Sequence, residues 1–145
     1  MARQIFVNLP VADLAAATAF YGALGFERDP RFSNEHASAM TWSDTISVML
    51  LAHDFYRTFT TKQIADTHAT SAALLCLSFD DRAGVDRITD AAIAAGGRET
   101  RPAQDHGFMY GRAFEDLDGH VFEPMYMDMD AALAAFAATP QAVEA

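Results

Sequence analysis

From Gln4 to Pro10 the chain reads QIFVNLP, with Ile5, Val7 and Leu9 alternating with Phe6 and Asn8. A two-residue period is that of a strand, whose successive side chains point to opposite faces. Asp13 then supplies an N-cap, and Leu14, Ala17, Tyr21 and Leu24 recur at helical spacing, so a helix with one apolar stripe is predicted. Gly25 is placed to end it. Three short strands are predicted next, in FERDPRFS, ASAMTWS and TISVMLLA, with turn-like joints between them.

The same order then returns. ALLCLSF predicts a strand, Asp80 or Asp81 caps a helix carrying Val85, Ile88 and Ala92, and Gly96-Gly97 ends it. GRETRP, FMYGRAFE and HVFEPMYM predict three more strands. Aligning Asp13 with Asp81, and Met49 with Glu123, superposes the two halves as one duplicated pattern. The connector HDFYRTFTTKQIADTHATS is too long for bare loop, which predicts a helical turn at Phe55 to Phe59 or at Lys62 to Ala65. The alanine-rich DMDAALAAFAATP predicts a terminal helix stopped by Pro140, and the tail QAVEA is expected to be mobile. The chain therefore reads as a single domain over 1–145, with module 1 at about 4–52, a connector at 53–72, module 2 at about 73–127 and a C-terminal helix at about 128–139.

Composition narrows the function. With 51% apolar and 21% charged residues, the chain has the make-up of a soluble domain with a proper core. No apolar run approaches the roughly 20 residues that span a bilayer, and no signal peptide is visible at the N-terminus. A net charge of -10, with Lys62 the only lysine, argues against nucleic acid and against anionic membrane surfaces. Cys76 is the only cysteine, which excludes an intrachain disulfide and fits a reducing cytoplasm. Its apolar neighbours predict a buried, inert thiol.

The candidate chemistry lies in FEDLDGHVFEP, Phe114 to Pro124. Its acids do not have the spacing of a calcium loop, which places its glycine sixth and a glutamate twelfth. Asp118-Gly119 instead predicts a tight turn, with alternating strands on either side. Glu123 shares a strand face with Val121 and Met125. A desolvated carboxylate there is a candidate acid or base, and a wet sheet edge is the structural alternative. In QDHGFMYGR, His106 is followed by Tyr110 and Arg112 at alternate positions on one face. Arg112 is a candidate fork for a ligand carboxylate, or a surface arginine answering the chain's own acids.

IFVNLPVADLAAATAFYGALGF, followed at a distance by GRAFEDLDGHVFEP, resembles the vicinal oxygen chelate superfamily of glyoxalase I, bleomycin-resistance and extradiol dioxygenase proteins. The likeness runs from about Ile5 to Met127. PAQDHGFMYGR is similar to a segment of the predicted lactoylglutathione lyase branch. The resemblance implies an α+β fold of two βαβββ modules, forming a curled mixed sheet around one cleft, usually in a homodimer. It also implies a metal held by a histidine on the first strand of a module and a glutamate on its last. Carried over, the glutamate falls on Glu123 and, in the first module, on Met49; the histidines fall on Phe6 and Leu74. Three of these four positions are methionine, phenylalanine and leucine, which leaves one carboxylate to hold a divalent cation weakly, so no cofactor is predicted. Zinc, nickel, cobalt or manganese would enter only through ligands the sequence does not name.

On the implied geometry, Phe6, Asn8, Ser47, Met49, Leu74, Cys76, Val121, Glu123 and Met125 line a mostly apolar cleft, the composition of a small-molecule site. The substrate-binding candidates are Phe6, Asn8, Met49, Leu74, His106, Tyr110 and Arg112, and the catalytic candidate is Glu123. The sequence thus predicts a protein that acts on or binds a small, partly apolar molecule. A metal-independent lyase or isomerase, a non-catalytic sequestration protein and a metal-dependent lactoylglutathione lyase-type enzyme are the readings it leaves open.

Overall fold

The computed structural model describes residues 2–138, so the expectations for Pro140 and the tail lie outside the described residues. The strands are β1 (Ile5–Val11), β2 (Glu27–Arg28), β3 (Ala37–Thr41), β4 (Ile46–Ala52), β5 (Leu74–Phe79), β6 (Arg98–Asp105), β7 (Met109–Glu115) and β8 (Val121–Met127). The helices are α1 (Leu14–Ala23), α2 (His53–Tyr56), α3 (Arg82–Ala94) and α4 (Met129–Ala138). Hydrogen bonding divides the strands into two four-stranded sheets, β1-β4-β3-β2 and β5-β8-β7-β6. In each, the first strand of the module pairs parallel to the last. The α+β fold of two βαβββ modules with a terminal helix is the one expected, and the repeat extends to strand order.

The least strand-like segment is FERDPRFS. Only Glu27–Arg28 pairs with β3, and Pro30–Phe32 form a 3₁₀ turn. Pro30 has no N–H for a ladder, and the Asp29 carboxylate caps the turn by accepting from Arg31 N at 3.0 Å. The connector's helical turn falls at the first of its two expected places: α2 runs into a 3₁₀ turn at Arg57–Phe59.

One face of each sheet is covered by helices. α1 lies on β3 and β4, α3 on β7 and β8, and the two helices touch. Leu9, Val11, Val48, Leu50, Leu77, Phe114 and Phe122 point to this side, into one core with Phe20, Tyr21 and Ile88. Each fully buried side chain of this kind contributes about 1.5–3 kcal/mol. The Tyr21 ring meets Phe20, Phe26 and Phe122 edge-on, so an α1 side chain bridges to the second sheet. The opposite phase of each strand forms what we term the open face.

The two modules are joined by the turn that the sequence spells DLDGH. Tyr21 Oη donates to Asp116 Oδ2 at 2.6 Å, and Asp116 Oδ1 accepts from the backbone N–H groups of Asp118 and His120, both at 2.9 Å. Asp118 accepts from Ala12 N at 2.9 Å. His120 Nε2 lies 2.8 Å from Pro10 O; a carbonyl only accepts, so Nε2 carries the proton. Gly119 adopts φ +86°, as the tight turn requires, and a Cβ there would lie 2.7 Å from backbone atoms of Thr67 and His68. The acids and glycine of this motif are architecture.

Candidate functional site

The alternation of β1, β4, β5 and β8 places Phe6, Asn8, Ser47, Met49, Leu74, Cys76, Val121, Glu123 and Met125 on the open faces, opposite in phase to the core residues. Parallel pairing sets Asn8 beside Met49 and Cys76 beside Glu123, so these two pairs occupy equivalent places in the two modules. Phe6 and Leu74 are more than half exposed, at 56% and 57%. Cys76 is exposed, in contrast to the buried thiol expected from its neighbours: it falls on the open phase of a strand whose other phase fills the core. Partial burial, then the nearby Glu123 carboxylate, raise its pKa, which keeps it a poor nucleophile.

A cavity of about 630 Å³ opens over the first sheet. Phe6, Phe32 and Met49 supply its apolar wall, with Thr41 and Ser47 beside them. At its rim the Arg31 guanidinium grips Asp29 through two bonds of 3.0 and 2.8 Å and lies 5.4 Å from the Phe32 ring centroid. Asn8 lines a different cavity, of about 430 Å³, between β1, Leu75, Val121 and the connector. His120 and His68 reach that cavity as well. Phe6 and Met49 thus line one space and Asn8 another, although the sequence grouped them together.

On the second sheet, Glu123 is paired with a residue that sequence reasoning did not single out. Arg101 Nη2 donates to Glu123 Oε2 at 2.8 Å. The reason lies in β6, whose register against β7 shifts between Glu99 and Arg101 and again between Arg101 and Gln104. Glu99 pairs with the core-facing Phe114, whereas Arg101 pairs with the next residue, Ala113, and so faces the other way. A bulge re-aims a side chain that strict alternation would have sent to the helices. Pro102, a residue confined to sheet edges and bulges, is the one sequence sign of it.

Tyr110 and Arg112 do share a face, as expected, but it is the helix-covered one. Tyr110 Oη donates to Asp86 on α3 at 2.6 Å. Arg112 binds Glu99 through Nε and Nη2, at 2.9 and 3.1 Å, and reaches Asp86 and Asp90 with Nη1. These bonds hold the Arg112 charge firmly and push the Glu99 and Asp86 carboxyls down, Glu99 chiefly through Arg112 and Asp86 chiefly through Tyr110. The pair pins α3 to β6 and β7, with four Arg112 bonds committed to the chain's own acids on the helix-covered face. His106 stands on the exposed β6–β7 hairpin, stacked on Phe108 at 6.2 Å, beside an Asp105 that Arg82 holds at a pKa of about 2.

The comparisons with known proteins agree with this geometry. Residues 3–37 match the family model for the bleomycin resistance protein-like N-terminal region. No curated protein matches the sequence. Among solved structures, a hypothetical protein from S. aureus superposes with a TM-score of 0.73 at 23% identity, over 87% of this chain and 94% of that one. A glyoxalase/bleomycin resistance protein/dioxygenase family enzyme from Burkholderia phytofirmans gives 0.71 at 21% identity, over 87% and 99%. The chain has the vicinal oxygen chelate fold. Fosfomycin resistance protein FosX from Mesorhizobium loti shares that fold at a TM-score of 0.62 and 19% identity, over 92% of this chain and 96% of that one.

A metal implied by the vicinal oxygen chelate fold does not fit the residues present. Glu123 is a single carboxylate whose nearest charged partner is a guanidinium, and the equivalent positions are Met49, Phe6 and Leu74. Among the described residues no three histidine, cysteine, aspartate or glutamate side chains converge as a ligand set. A divalent cation beside Glu123 would meet the positive charge of Arg101 within a few ångströms. No helix among the described residues is long and apolar enough to cross a membrane.

Proposed function

We propose that this chain binds a small, partly apolar molecule on the open faces of its sheets, without a divalent metal. The observation that carries this reading is the cavity of about 630 Å³ over β1, β3 and β4. Its size suits a small organic molecule, and its wall is apolar with a few polar groups at the edge. Phe6 and Met49, the positions that correspond to metal ligands in the resemblance, are both part of that wall. Hydrophobic side chains there bind by area and shape, and sequestration of a ligand needs nothing more. A homodimer and a cytoplasmic setting accompany the proposal, the first to be checked by light scattering on the eluted protein.

The test uses the neutral fluorescent probe N-phenyl-1-naphthylamine. Saturable binding to the wild type is expected, with a loss of about tenfold or more in Phe6→Asp, because a carboxylate must then be desolvated beside the probe. Phe6 is 56% exposed, so the substitution leaves the melting temperature nearly unchanged. Equal binding by the variant, or none by the wild type, overturns the reading. A second reading, proton transfer by Glu123 on a carbonyl compound, rests on its open-face position; full turnover by Glu123→Gln on any substrate found would dismiss it.

A further inference from the structure

Among the described residues, one buried side-chain polar atom has no hydrogen-bond partner, and it is Arg101 Nη1. A guanidinium is always charged at physiological pH and offers its donors in a rigid fork. Here one prong is fixed on Glu123 by Nη2 at 2.8 Å, while the other is withdrawn from solvent and donates to nothing. A buried donor left unpaired costs free energy, so structures rarely keep one without a reason. The placement of Arg101 is equally unusual: the register shift between Glu99 and Arg101 brings it to the open face, and bulges of this kind are over-represented next to active sites.

The surroundings limit what can satisfy Nη1. Ala113 is the cross-strand partner of Arg101, and Gly111 pairs with Met125, so small residues line β7 along this face. Beyond Glu123 lie Cys76 and Leu74 of β5, and Val121 and Met125 flank it along β8. Towards β8 and β5 the neighbours of the ion pair are apolar, while Gln104 and the Arg98–Glu115 pair lie further along β6 and β7. Glu123 already neutralises much of the Arg101 charge, so the free prong asks for an oxygen acceptor, which a neutral carbonyl or a carboxylate can each supply.

We propose that Arg101 is a ligand-anchoring residue: with Nη2 held by Glu123, Nη1 donates to a carbonyl or carboxylate oxygen of a small, partly apolar molecule on the open face of the second sheet. A guanidinium thereby takes the part that a metal plays in the implied family site, as the fixed positive group facing a ligand oxygen, and Glu123 orients it. This rests on the small-molecule reading above and adds a substrate class to it, molecules with an oxygen acceptor on an apolar body.

The test is a titration of protein labelled with ¹⁵N at its arginine side chains, followed by NMR of the guanidinium signals, with Arg101 assigned by its absence in Arg101→Met. Three probes of like shape are compared: ethylbenzene, acetophenone and benzoate. Acetophenone or benzoate is expected to shift the Arg101 signal saturably and to bind about tenfold more weakly to Arg101→Met, the loss of one charge-assisted hydrogen bond. Ethylbenzene is expected to leave that signal unmoved. Preference for benzoate over acetophenone assigns a carboxylate, and the reverse assigns a neutral carbonyl. Should Arg101→Met fail to fold, Arg101→Lys keeps the cation without the fork and is expected to weaken binding severalfold. No shift of Arg101 with either oxygen-bearing probe at about 10 mM, well above fragment affinities, overturns the proposal, as does equal binding by the folded variants. If the probes bind without involving Arg101, this inference fails while the small-molecule reading stands; if none binds and the naphthylamine probe also fails, both fall.

Discussion

Replacing Tyr21 by phenylalanine removes one oxygen from the centre of the molecule and tests how the modules are joined. The phenol is fully buried, and its hydroxyl donates to the Asp116 carboxylate at 2.6 Å. The ring packs against Phe20, Phe26 and Phe122 in either form, so the substitution deletes a hydrogen bond and little else. A hydrogen bond to a charged acceptor is worth about 1.5–3 kcal/mol, and here the acceptor stays buried with two backbone donors in place of three partners. We expect a loss of about 2 kcal/mol, which for a chain of this length lowers the melting temperature by roughly 6 °C. The loss has a pH signature. Burial raises the Asp116 carboxyl above its ordinary value, and the Tyr21 hydroxyl opposes that by bonding the charged form. A group raised on folding contributes most below its unfolded value, and that contribution is lost as pH rises through the folded one. Removing the hydroxyl raises the folded value further, so the deficit of Tyr21→Phe is largest at neutral pH and shrinks towards about pH 4. Urea unfolding at several pH values measures it. A deficit below about 0.5 kcal/mol, or one that does not change with pH, would refute the account of Asp116 as a charged acceptor at the module junction.

Gly119→Ala should cost about 2–4 kcal/mol, since the new Cβ meets Thr67 and His68 backbone at 2.7 Å in a left-handed residue; a normal unfolding midpoint would show that the connector is free to move away. Arg112→Met leaves Glu99, Asp86 and Asp90 facing one another without their shared cation. It should destabilise by about 1–3 kcal/mol, with part of the loss recovered in high salt as the acids are screened; a deficit indifferent to salt would count against mutual repulsion. Carboxyl NMR should find Asp105 titrating at about 2, and returning towards the ordinary aspartate value in Arg82→Gln. Because that pKa is depressed, the Arg82 interaction stabilises above the ordinary range and is lost as pH falls through about 2; an unchanged Asp105 in the variant would dismiss Arg82 as the cause.

Most of the architecture was legible because it obeys two periods. Ile5 to Leu9 and Val121 to Met125 alternate strictly, and the structure sends each phase to the expected side. Asp13 and Asp81 cap the helices they were expected to cap. The misreadings come from places where the period breaks or where sharing a face does not say which face. Tyr110 and Arg112 were correctly placed together, but nothing local distinguishes a ligand's carboxylate from that of Glu99 or Asp86. Arg101 was missed because a bulge between it and Glu99 exchanges the two sides of the sheet, and Pro102 is the one local sign of that one-residue shift. Cys76 was misjudged because its apolar neighbours Leu75 and Leu77 point the other way.

The DLDGH clamp also dictates an order of events. Its bonds connect residues 95, 106 and 110 positions apart, from Tyr21, Ala12 and Pro10 to Asp116, Asp118 and His120. On a ribosome the first module therefore emerges whole, strands and helix included, while the carboxylate for its buried phenol has yet to be made. Closing so long a loop costs entropy that only the last contacts repay, so the nascent N-terminal half waits in an unlocked form. Its open-face apolar residues, Phe6 among them, are then exposed together with a loose core, a state prone to association with other chains. Translation must reach the β7–β8 turn before the first helix is secured, which makes the folding of the first module depend on the second.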